Sequence, residues 1–499
     1  MTQTENETVD LTRYVSNLDR NVYTIYNLPE EVIAVIFAYV SRSPASFRDN
    51  LAKLLKDDDL AVGNTPEGSF TTYSEKAARF HEKWVVGYGH SSVAEHAVAH
   101  LGVEKISRLA SAELELANTF NSFTEYSQRY QRPNRGSFHV PEELDSFPEL
   151  KQAFIRLNKK AFDTYEQLLA GLIPYLENTL PREKGESDKR FSSRLEKIAF
   201  EDARYVLTLA TQTSLGLTGN GRALRDTLVR LLSSRYAESR TLAREMEREI
   251  SQVIPTLLKH VKASDYLLST REKLENQPLP RPESSTRGQA FDGPSARFVQ
   301  LTDYSQALEI LCTHLFVGEY GFSHDQAAEK ARQMNFQEQE ERIEETLKSI
   351  RFFDHPKDLF RHLFYAMEMT LSEANWHQLL RHNRGTHFTF GEPTVDWGYT
   401  IPPHVREAGL TEMFSQLMED AERLFDQMQQ ECPNIASYCV TNAHHRMVKA
   451  TANLWELYHL INLRTSPEAQ WDIRSTFEQL YMELEKHHPV LARYAKRRG

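Results

Sequence analysis

Two short segments carry hydroxyl, guanidinium and imidazole groups at spacings that suit an anionic ligand. The first is EYSQRY at residues 125–130, where Ser127 stands two positions before Arg129. In an extended segment these side chains would face the same side and offer a hydroxyl and a guanidinium to a phosphate. An exposed basic loop would show the same spacing, so this segment alone leaves both interpretations open.

The second segment is HQLLRHNRGTHFTFGE at residues 377–392, which contains Gln378, Arg381, His382 and Arg384. It lacks the Ser-x-Arg pair of the first segment, and the first segment lacks its Arg-His pair. The chain therefore holds two partial versions of one kind of site.

Other arginines stand close to turns or helix ends. Arg204 precedes an apolar, threonine-rich stretch that leads to Asn220 and Arg222 in TGNGR. A helix that starts here would direct its N-terminus and an arginine at an anion, although capping alone explains Asn220. Arg464 and Arg474 could both be ordinary helix-surface charges beside a turn.

One histidine pair deserves comparison with metal sites. In YGHSSVAEHAVAH (88–100), His96 and His100 would share one face of a helix, with Glu95 adjacent. Zinc proteases place the glutamate directly after the first histidine, whereas here it precedes it. A histidine facing a cleft, or one satisfied in the core, is the better interpretation, and we predict no metal site.

Length and charge limit the class of protein. A chain of 499 residues exceeds what one hydrophobic core usually supports, so two domains are expected. The net charge of −11 argues against a nucleic acid polymer as partner, which needs a basic face. A few convergent arginines can still bind the phosphate of a small-molecule nucleotide.

The three cysteines, Cys312, Cys432 and Cys439, form no CxxC pair and fit neither a disulfide framework nor a zinc site. The N-terminal MTQTENETVDLTR is polar and acidic, unlike a signal peptide. No apolar run approaches the roughly 18–20 residues of a membrane span. We expect a reduced, cytoplasmic protein without a membrane partner.

The chain is organised as two similar halves around a segment rich in Pro, Ser and Gly. VYTIYNLPEEVIAVIFAYV after Asn21 and FVQLTDYSQALEILCTHLF after Arg297 both read as a short β-prone run followed by a helix. Helical periodicity dominates 193–255 and 443–485. We predict an α+β, helix-rich fold with small sheets and two tandem related domains, at 20–262 (with an insertion at about 140–195) and 297–490, joined by a linker at 263–296.

Together these segments resemble the flavin-dependent thymidylate synthases twice. In the first half, HxSVxEH (90–96), ExSQRY (125–130), ARxxL (203–207) and NxR (220–222) resemble successive motifs of that family. In the second half, QLLRH (378–382), NLR (462–464) and AQWDIR (469–474) do so. The resemblance implies the fold of that family in each half.

The resemblance also implies a role for each matching residue. FAD would be bound by His90, Asn220, Arg222, Arg381, His382 and Arg384. The nucleotide would be bound by Glu125, Ser127, Arg129 and Gln378, with Arg204 and Arg464 as the catalytic arginines.

The matches are divided between the halves. The first half has LANT (116–119) where the family has an arginine–histidine–arginine segment, and Leu231 near its late arginine. The second half has Asn383 as the third member of that segment, Ser437 at the early arginine, and Trp455 at the arginine of Asn-x-Arg. The resemblance therefore implies composite sites between unlike halves, with a homodimer replacing the family's homotetramer.

The implied reaction is FAD-dependent methylation of dUMP to dTMP, with methylenetetrahydrofolate as carbon donor and NADPH as reductant. Two alternatives stay open because of the departures from the family pattern. The chain could be a non-catalytic flavin- or nucleotide-binding paralogue, or a related flavoenzyme that acts on another pyrimidine nucleotide.

Overall fold

The computed structural model describes residues 10–40, 46–55, 91–277 and 286–497. The fold is helix-rich with small sheets, which confirms the predicted class. Within the described residues, no helix is both long enough and apolar enough to span a membrane. The helices are α1 Glu30–Val40, α2 Phe47–Leu55, α3 Arg108–Ala117, α4 Pro148–Thr179, α5 Asp188–Ala203, α6 Gly221–Leu232, α7 Ala237–Ile250, α8 Asp265–Glu275, α9 Tyr304–Tyr320, α10 His324–Gln333, α11 Phe336–Glu345, α12 Glu373–Leu379, α13 Pro403–Glu407, α14 Thr411–Glu431, α15 Leu454–Arg464, α16 Trp471–His487 and α17 Pro489–Arg493. The strands are β1 Val98–Ser107, β2 Ser122–Glu125, β3 Gln212–Asn220, β4 Ala290–Phe291, β5 Ser295–Gln300, β6 Phe364–Ser372, β7 Thr386–Phe390, β8 Tyr399–Thr400 and β9 His445–Asn453.

The described residues form two compact units that do not coincide with the predicted domains. The first, here the N-terminal unit, draws on residues 1–106, 113–126 and 213–279. The second, here the C-terminal unit, draws on residues 107–112, 127–212 and 280–499. A long stretch of the first half thus belongs to the same unit as the whole second half. Sequence similarity between halves identifies repeats, whereas packing decides which residues form a unit.

The N-terminal unit is built on a three-stranded sheet in the order β1-β3-β2. Strand β2 pairs antiparallel with β3, from Ser122 opposite Thr218 to Glu125 opposite Leu215. A small apolar core joins helices α1 and α2, with Val32, Val35 and Leu51 among its buried members. Apolar side chains three or four apart on α1 face inward, which is the pattern of an amphipathic helix.

The C-terminal unit is built on a four-stranded antiparallel sheet in the order β5-β6-β9-β7. Central strand β6 pairs with β9 along its whole length, from Phe364 opposite Asn453 to Ser372 opposite His445. Most residues of β6 are buried, as expected for a strand covered on both faces. A separate parallel pair joins β4 to β8.

Helices of the C-terminal unit pack against this sheet and against one another. Helix α4 has 32 residues and buries Phe154, Leu157, Ala161 and Leu168 on one face. This face packs against α14, so the predicted insertion at 140–195 contributes to the core of the C-terminal unit.

The duplication is visible in local geometry. Strands β3 and β9 each have nine residues, and each ends in an asparagine, Asn220 or Asn453, that caps the following helix. In the C-terminal unit, Thr208 of the first half and Thr441 of the second form an antiparallel bridge. Each second-half residue here exceeds its first-half counterpart in number by the same amount, so corresponding segments of the two repeats meet at this bridge.

The segment predicted as a linker, 263–296, is more structured than the sequence indicated. It contains helix α8, none of whose residues is buried, and both strand β4 and the start of β5. Its helix begins with a Ser264 cap, whose hydroxyl accepts a hydrogen bond from the Leu267 amide.

Candidate active site

The predicted site residues fall into two groups. Glu125, Asn220 and Arg222 belong to the N-terminal unit, and His90 lies outside the described residues. The C-terminal unit contains the larger group, which comes from both halves of the sequence: Ser127, Arg129, Arg204, Gln378, Arg381, His382, Arg384 and Arg464.

Arg204 is positioned by the end of helix α5, where the chain tightens into a 3₁₀ turn over Arg204–Val206. The residue is only 5% exposed. Its Nε donates to the Glu201 carbonyl oxygen at 3.4 Å, and its Nη2 is buried without a hydrogen-bond partner among the described residues. Burial lowers the pKa of Arg204, and the charges of Arg129 and Arg108 act in the same direction.

The Ser127–Arg129 segment is a hydrogen-bonded turn and not the extended segment in which the two side chains would face the same side. The Ser127 hydroxyl accepts from the Arg129 amide at 3.3 Å, and the Ser127 carbonyl oxygen accepts from the Tyr130 amide at 3.1 Å. Serine readily bonds to backbone amides two residues on, and this local bond outweighs the weak β propensity. The turn separates Ser127 and Arg129 from strand β2, which ends at Glu125.

The Arg129 guanidinium is held in place rather than exposed. Its Nε donates to Glu201 Oε1 at 2.8 Å, its Nη2 lies 2.6 Å from the same oxygen, and Nη2 also reaches the Glu468 carbonyl oxygen at 3.2 Å. The side chain is 14% exposed, which excludes the exposed basic loop considered from the sequence. Glu201 belongs to the first half and Glu468 to the second, so this arginine is fixed by both repeats.

Arg464 ends helix α15 and is anchored by two groups of the second segment. Its Nε and Nη2 lie 3.0 and 2.7 Å from His382 Nε2, and Nη2 donates to the Gln378 carbonyl oxygen at 2.9 Å. Burial lowers the pKa of Arg464 to about 10, with Arg381 and Arg129 acting in the same direction. Burial also lowers the pKa of His382 well below its usual value, so the imidazole is neutral at pH 7.

The side chain of Gln378 has one fixed orientation. Its Nε2 donates to the Ala374 carbonyl oxygen and to Gln470 Oε1, both at 3.1 Å. Gln470 is in turn oriented, because its Nε2 donates to the Tyr205 hydroxyl at 3.0 Å and that hydroxyl donates to Asp472 at 2.6 Å. The buried Oε1 of Gln378 has no partner among the described residues and is left as an acceptor.

Gln128 belongs to the same cluster but carries no signal in the sequence beyond its place between Ser127 and Arg129. It is 4% exposed, and its Oε1 accepts from Asn442 Nδ2 at 3.3 Å. Asn442 also donates to the Arg204 carbonyl oxygen at 2.9 Å, which brings Gln128 beside Arg204. The Nε2 of Gln128 is buried and has no partner in the part of the chain that the structure describes.

These contacts define an anion site with polar atoms left over. In addition to burial, the charge of Arg129 lowers the pKa of both Arg204 and Arg464, and the charge of the exposed Arg381 lowers that of Arg464, although Glu201 pairs with Arg129. Buried cations that repel one another are stabilised by an anionic ligand. Among the described residues, the buried donors Arg204 Nη2 and Gln128 Nε2 and the buried acceptor Gln378 Oε1 have no hydrogen-bond partner.

The residues predicted to hold the flavin are spread over both units. Asn220 caps helix α6 by accepting from the Ala223 amide at 2.9 Å, and Arg222 pairs with Glu95 at 2.6 Å with half of its side chain exposed. Arg381 and Arg384 are exposed in the C-terminal unit. The structure therefore places Asn220 and Arg222 in one unit and Arg381 and Arg384 in the other.

The Asn-x-Arg position of the second half is closed. Trp455, which stands where the arginine would be, stacks on His355 with ring centroids 4.6 Å apart, and the Arg361 guanidinium lies 4.1 Å from its ring centroid. These contacts occupy the indole, so this position does not fit a flavin phosphate.

The histidine pair does not form a helical face. His96 ends the 3₁₀ helix Ser91–His96 and packs on Phe37, whereas His100 lies on strand β1 and hydrogen-bonds the Thr218 hydroxyl at 2.9 Å. The predicted helix is wrong here because β1 begins at Val98 and is drawn into the sheet.

The sequence match to a known family decides the class of the protein. The family model described as thymidylate synthase complementing protein matches residues 25–256 and again residues 300–490. The chain belongs to this family. The two matches confirm the tandem duplication and the resemblance seen in the sequence motifs.

Curated relatives match either nearly the whole chain or about a third of it. A UPF0159 protein of Thermoplasma acidophilum is 25% identical over 89% of this chain and 93% of its own length. A flavin-dependent thymidylate synthase of Mycobacterium avium is 34% identical over 35% of this chain and 66% of its own length. Among solved structures, a UMP/dUMP methylase, PolB, of Streptomyces cacaoi has a TM-score of 0.34 at 14% identity, over 41% of this chain and 95% of its own.

Proposed function

We infer that this family member is a flavin-dependent thymidylate synthase-like enzyme that converts dUMP to dTMP at a composite site in its C-terminal unit. The observation that carries the proposal is the set of buried, unpartnered polar atoms on Arg204, Gln128 and Gln378, surrounded by arginines from both repeats. Unsatisfied buried polar atoms are costly, so a native cluster of them points to a ligand.

The base of the nucleotide fits the leftover atoms by count. A uracil ring has two carbonyl acceptors and one N–H donor on its pairing edge, which would suit the unpartnered donors of Arg204 and Gln128 and the unpartnered acceptor of Gln378. Both protons of the Gln378 amide are already donated, to Ala374 and Gln470. The only hydrogen-bonding group of this side chain left for a ligand is therefore the acceptor Oε1. A pyrimidine with a protonated ring nitrogen supplies the donor that this acceptor needs.

The phosphate of the nucleotide suits the arginines. A guanidinium presents a planar fork that matches phosphate oxygens, and a dianion would relieve the repulsion that Arg464 experiences from Arg381 and Arg129. Ser127 adds a hydroxyl at the same turn. In the reaction, Arg204 and Arg464 would stabilise negative charge that develops on the pyrimidine, with no protein nucleophile required.

The proposed cofactor is FAD, for which NADPH would be the reductant and methylenetetrahydrofolate the carbon donor. Arg222 fits a flavin diphosphate because its pair with Glu95 is half exposed and easily exchanged for a phosphate. Arg381 and Arg384, on either side of His382 in the C-terminal unit, are exposed guanidiniums of the kind that binds a phosphate. When bound, the flavin supplies the hydride and one-carbon chemistry, and the protein supplies binding and electrostatics.

The proposed assembly is based on how the predicted flavin-binding residues are divided between the two repeats. One repeat keeps Asn220 and Arg222, whereas the other has Trp455 enclosed by His355 and Arg361. We propose a homodimer that imitates a four-domain assembly with fewer flavin sites than repeats. We further expect the protein to act in the cytoplasm on a small-molecule nucleotide.

The flavin part of the proposal is tested by the absorption spectrum of the purified protein with added FAD. We expect a protein-bound flavin signal that Arg381→Ala and Asn220→Ala each abolish. Arg423→Ala and Asn335→Ala are matched controls, since the first changes an exposed arginine and the second a helix cap elsewhere in the chain. Loss with either control would mean that the signal reports on folding.

Turnover is tested by mass detection of dTMP from dUMP, methylenetetrahydrofolate and NADPH. A colourless protein that binds dUMP would support the nucleotide-binding paralogue instead. A flavoprotein that bleaches with NADPH and methylates UMP but not dUMP would support the related enzyme on another pyrimidine nucleotide. A protein that binds neither flavin nor dUMP would overturn the proposal.

A further inference from the structure

Glu456 is a buried acid next to the arginine site that no family motif accounts for. It lies in the first turn of helix α15, where its backbone amide donates to Asn453 Oδ1 at 2.9 Å, and it is 7% exposed. Burial raises the pKa of its carboxyl group to about 7, and the charge of Arg361 opposes that shift. A carboxyl group with this pKa changes charge in the physiological range.

The turn 382–385 is shaped around this carboxyl group. Gly385 lies so close to it that a Cβ on residue 385 would be 2.2 Å from Glu456 Oε2. Only glycine therefore leaves room for the Glu456 side chain in its present position. The Glu456 carboxyl group therefore lies directly against the backbone of the turn that contains His382.

The hydrogen bonds of His382 determine its tautomer. Both Arg464 nitrogens point at Nε2, which must accept and therefore carries no proton. The proton of the neutral ring is then on Nδ1, by this hydrogen-bond assignment. That nitrogen is 4.0 Å from Glu456 Oε1, with both side chains only 9% exposed.

We propose that Glu456 is a positioning residue that orients His382 through its Nδ1 proton and thereby holds the Arg464 guanidinium on the nucleotide. The inference rests on the proposed function for its consequence, but the Glu456–His382 coupling itself does not need a nucleotide. It follows the arrangement in which a carboxylate orients an imidazole, which then acts on a third group.

The charged and titratable groups around Glu456 define the expected pH dependence. Arg361 favours its ionised form, His382 faces it, and His459 lies next to His382 with ring centroids 5.6 Å apart. Above pH 7 the ionised carboxylate would attract the Nδ1 proton across the 4.0 Å that separates Oε1 from Nδ1, and below pH 7 this attraction is lost. Nucleotide binding should therefore lose the contribution of Glu456 as the carboxyl group takes up a proton.

The coupling is tested without nucleotide by ¹⁵N NMR of histidine-labelled protein, with His382 identified by the signals that His382→Gln removes. We expect His382 Nδ1 to show a titration step near pH 7 in the parent and none in Glu456→Gln. The step belongs to Glu456, because the pKa of His382 itself lies well below its usual value. A parent without this step, or a Glu456→Gln protein that keeps it, overturns the inference.

The consequence is tested by calorimetric titration of the full chain with dUMP at pH 6 and pH 8. The ratio of Kd for Glu456→Gln to Kd for the parent should be near one at pH 6 and about fivefold or more at pH 8. Taking the ratio cancels the titration of the dUMP phosphate. A ratio that is the same at both pH values would mean that Glu456 is merely structural.

Two further variants separate position from charge. Gly385→Ala keeps the carboxylate but displaces it, and we expect the same increase in Kd at pH 8. Glu368→Gln is the control, because Glu368 pairs with Arg297 on an exposed part of the same unit. If no variant or parent binds dUMP, the proposed function fails, and the NMR titration still decides whether Glu456 orients His382.

Discussion

Arg464 directs both its Nε and its Nη2 at one ring nitrogen of His382, at 3.0 and 2.7 Å. The imidazole is neutral because burial and the neighbouring cations lower its pKa, so it serves the arginine purely as an acceptor. The Gln378 carbonyl oxygen accepts from the same guanidinium at 2.9 Å. Arg464, the arginine of the second repeat that we propose to be catalytic, is thus fixed by the Arg-His segment of that repeat, while the first repeat supplies Arg129 and Arg204.

His382→Ala tests this anchor. Removal of the acceptor leaves a partly buried guanidinium without one of its hydrogen-bond partners, which costs about 1–2 kcal/mol. We expect the Kd for dUMP, measured by calorimetry without FAD, to rise about tenfold. His487→Ala, at an exposed histidine on helix α16, should leave it unchanged. An unchanged Kd in His382→Ala would mean that Arg464 needs no anchor.

Arg204→Met tests whether the buried Arg204 lowers the stability of the unliganded protein and is needed for dUMP binding. Arg204 is 5% exposed and has an unpartnered Nη2, so its burial is poorly compensated in the unliganded chain. A buried cation with an unsatisfied N–H group costs about 1–3 kcal/mol, and an apolar side chain of similar length removes that cost. We expect a higher melting temperature for unliganded Arg204→Met and no further increase with dUMP, whereas the parent is stabilised by dUMP.

Arg204→Lys serves as the charge-preserving control. It should bind dUMP more weakly than the parent, because an ammonium cannot reproduce the guanidinium fork, and it should gain no stability. Strong destabilisation of Arg204→Met would show that other groups already compensate the arginine charge.

The features that local chemistry decides were predictable from the sequence. Asn220 caps a helix as TGNG indicated, and the helical periodicity gave the fold class. The turn at Ser127 and the strand at His100 were not predicted, because hydrogen bonds to the backbone and sheet pairing override short-range spacing.

Contacts between distant parts of the chain were not predictable. Arg129 and Glu201 are 72 positions apart, and Tyr205 and Asp472 are 267 positions apart, so no local pattern connects them. Burial of Gln128 and Arg204 likewise results from tertiary packing. Sequence reasoning could name the arginines but not the buried amides that complete the cluster.

Glu456→Gln gives a prediction about stability as well as about binding. The pKa of Glu456 rises from 4.5 to about 7 on folding, so the folded state binds a proton that the unfolded state has lost. This contribution is full below pH 4.5 and is lost as the pH rises through about 7, for a total of about 3 kcal/mol. Between pH 5 and pH 8 the parent should therefore lose more stability than Glu456→Gln in urea unfolding.

The control for this measurement is Glu368→Gln, whose stability should follow that of the parent at every pH. Equal pH slopes for the parent and Glu456→Gln would contradict a raised pKa at Glu456.

His404→Gln tests the ion pair between His404 and the buried Asp202, both in the C-terminal unit. His404 Nδ1 lies 2.7 Å from Asp202 Oδ2, and Trp471 Nε1 donates to Asp202 Oδ1 at 2.8 Å. The hydrogen bond with Asp202 raises the pKa of His404 above its usual 6.5. Its contribution is therefore complete below pH 6.5 and is lost as the pH rises through the folded-state pKa.

At pH 6, His404→Gln should cost about 1–3 kcal/mol, because it removes the cation beside the fully buried Asp202, whose own pKa is raised by burial. The cost should shrink at pH 9, where the parent's histidine has itself lost its charge. Urea unfolding followed by tryptophan fluorescence measures both values, with His487→Gln as the control at an exposed histidine. The stability contributed by His404 is lost at higher pH than that contributed by Glu456, so one pH series separates the two groups. A loss of stability confined to pH 5–7 belongs to the Glu456 carboxyl group. A loss that begins above pH 6.5 belongs to His404.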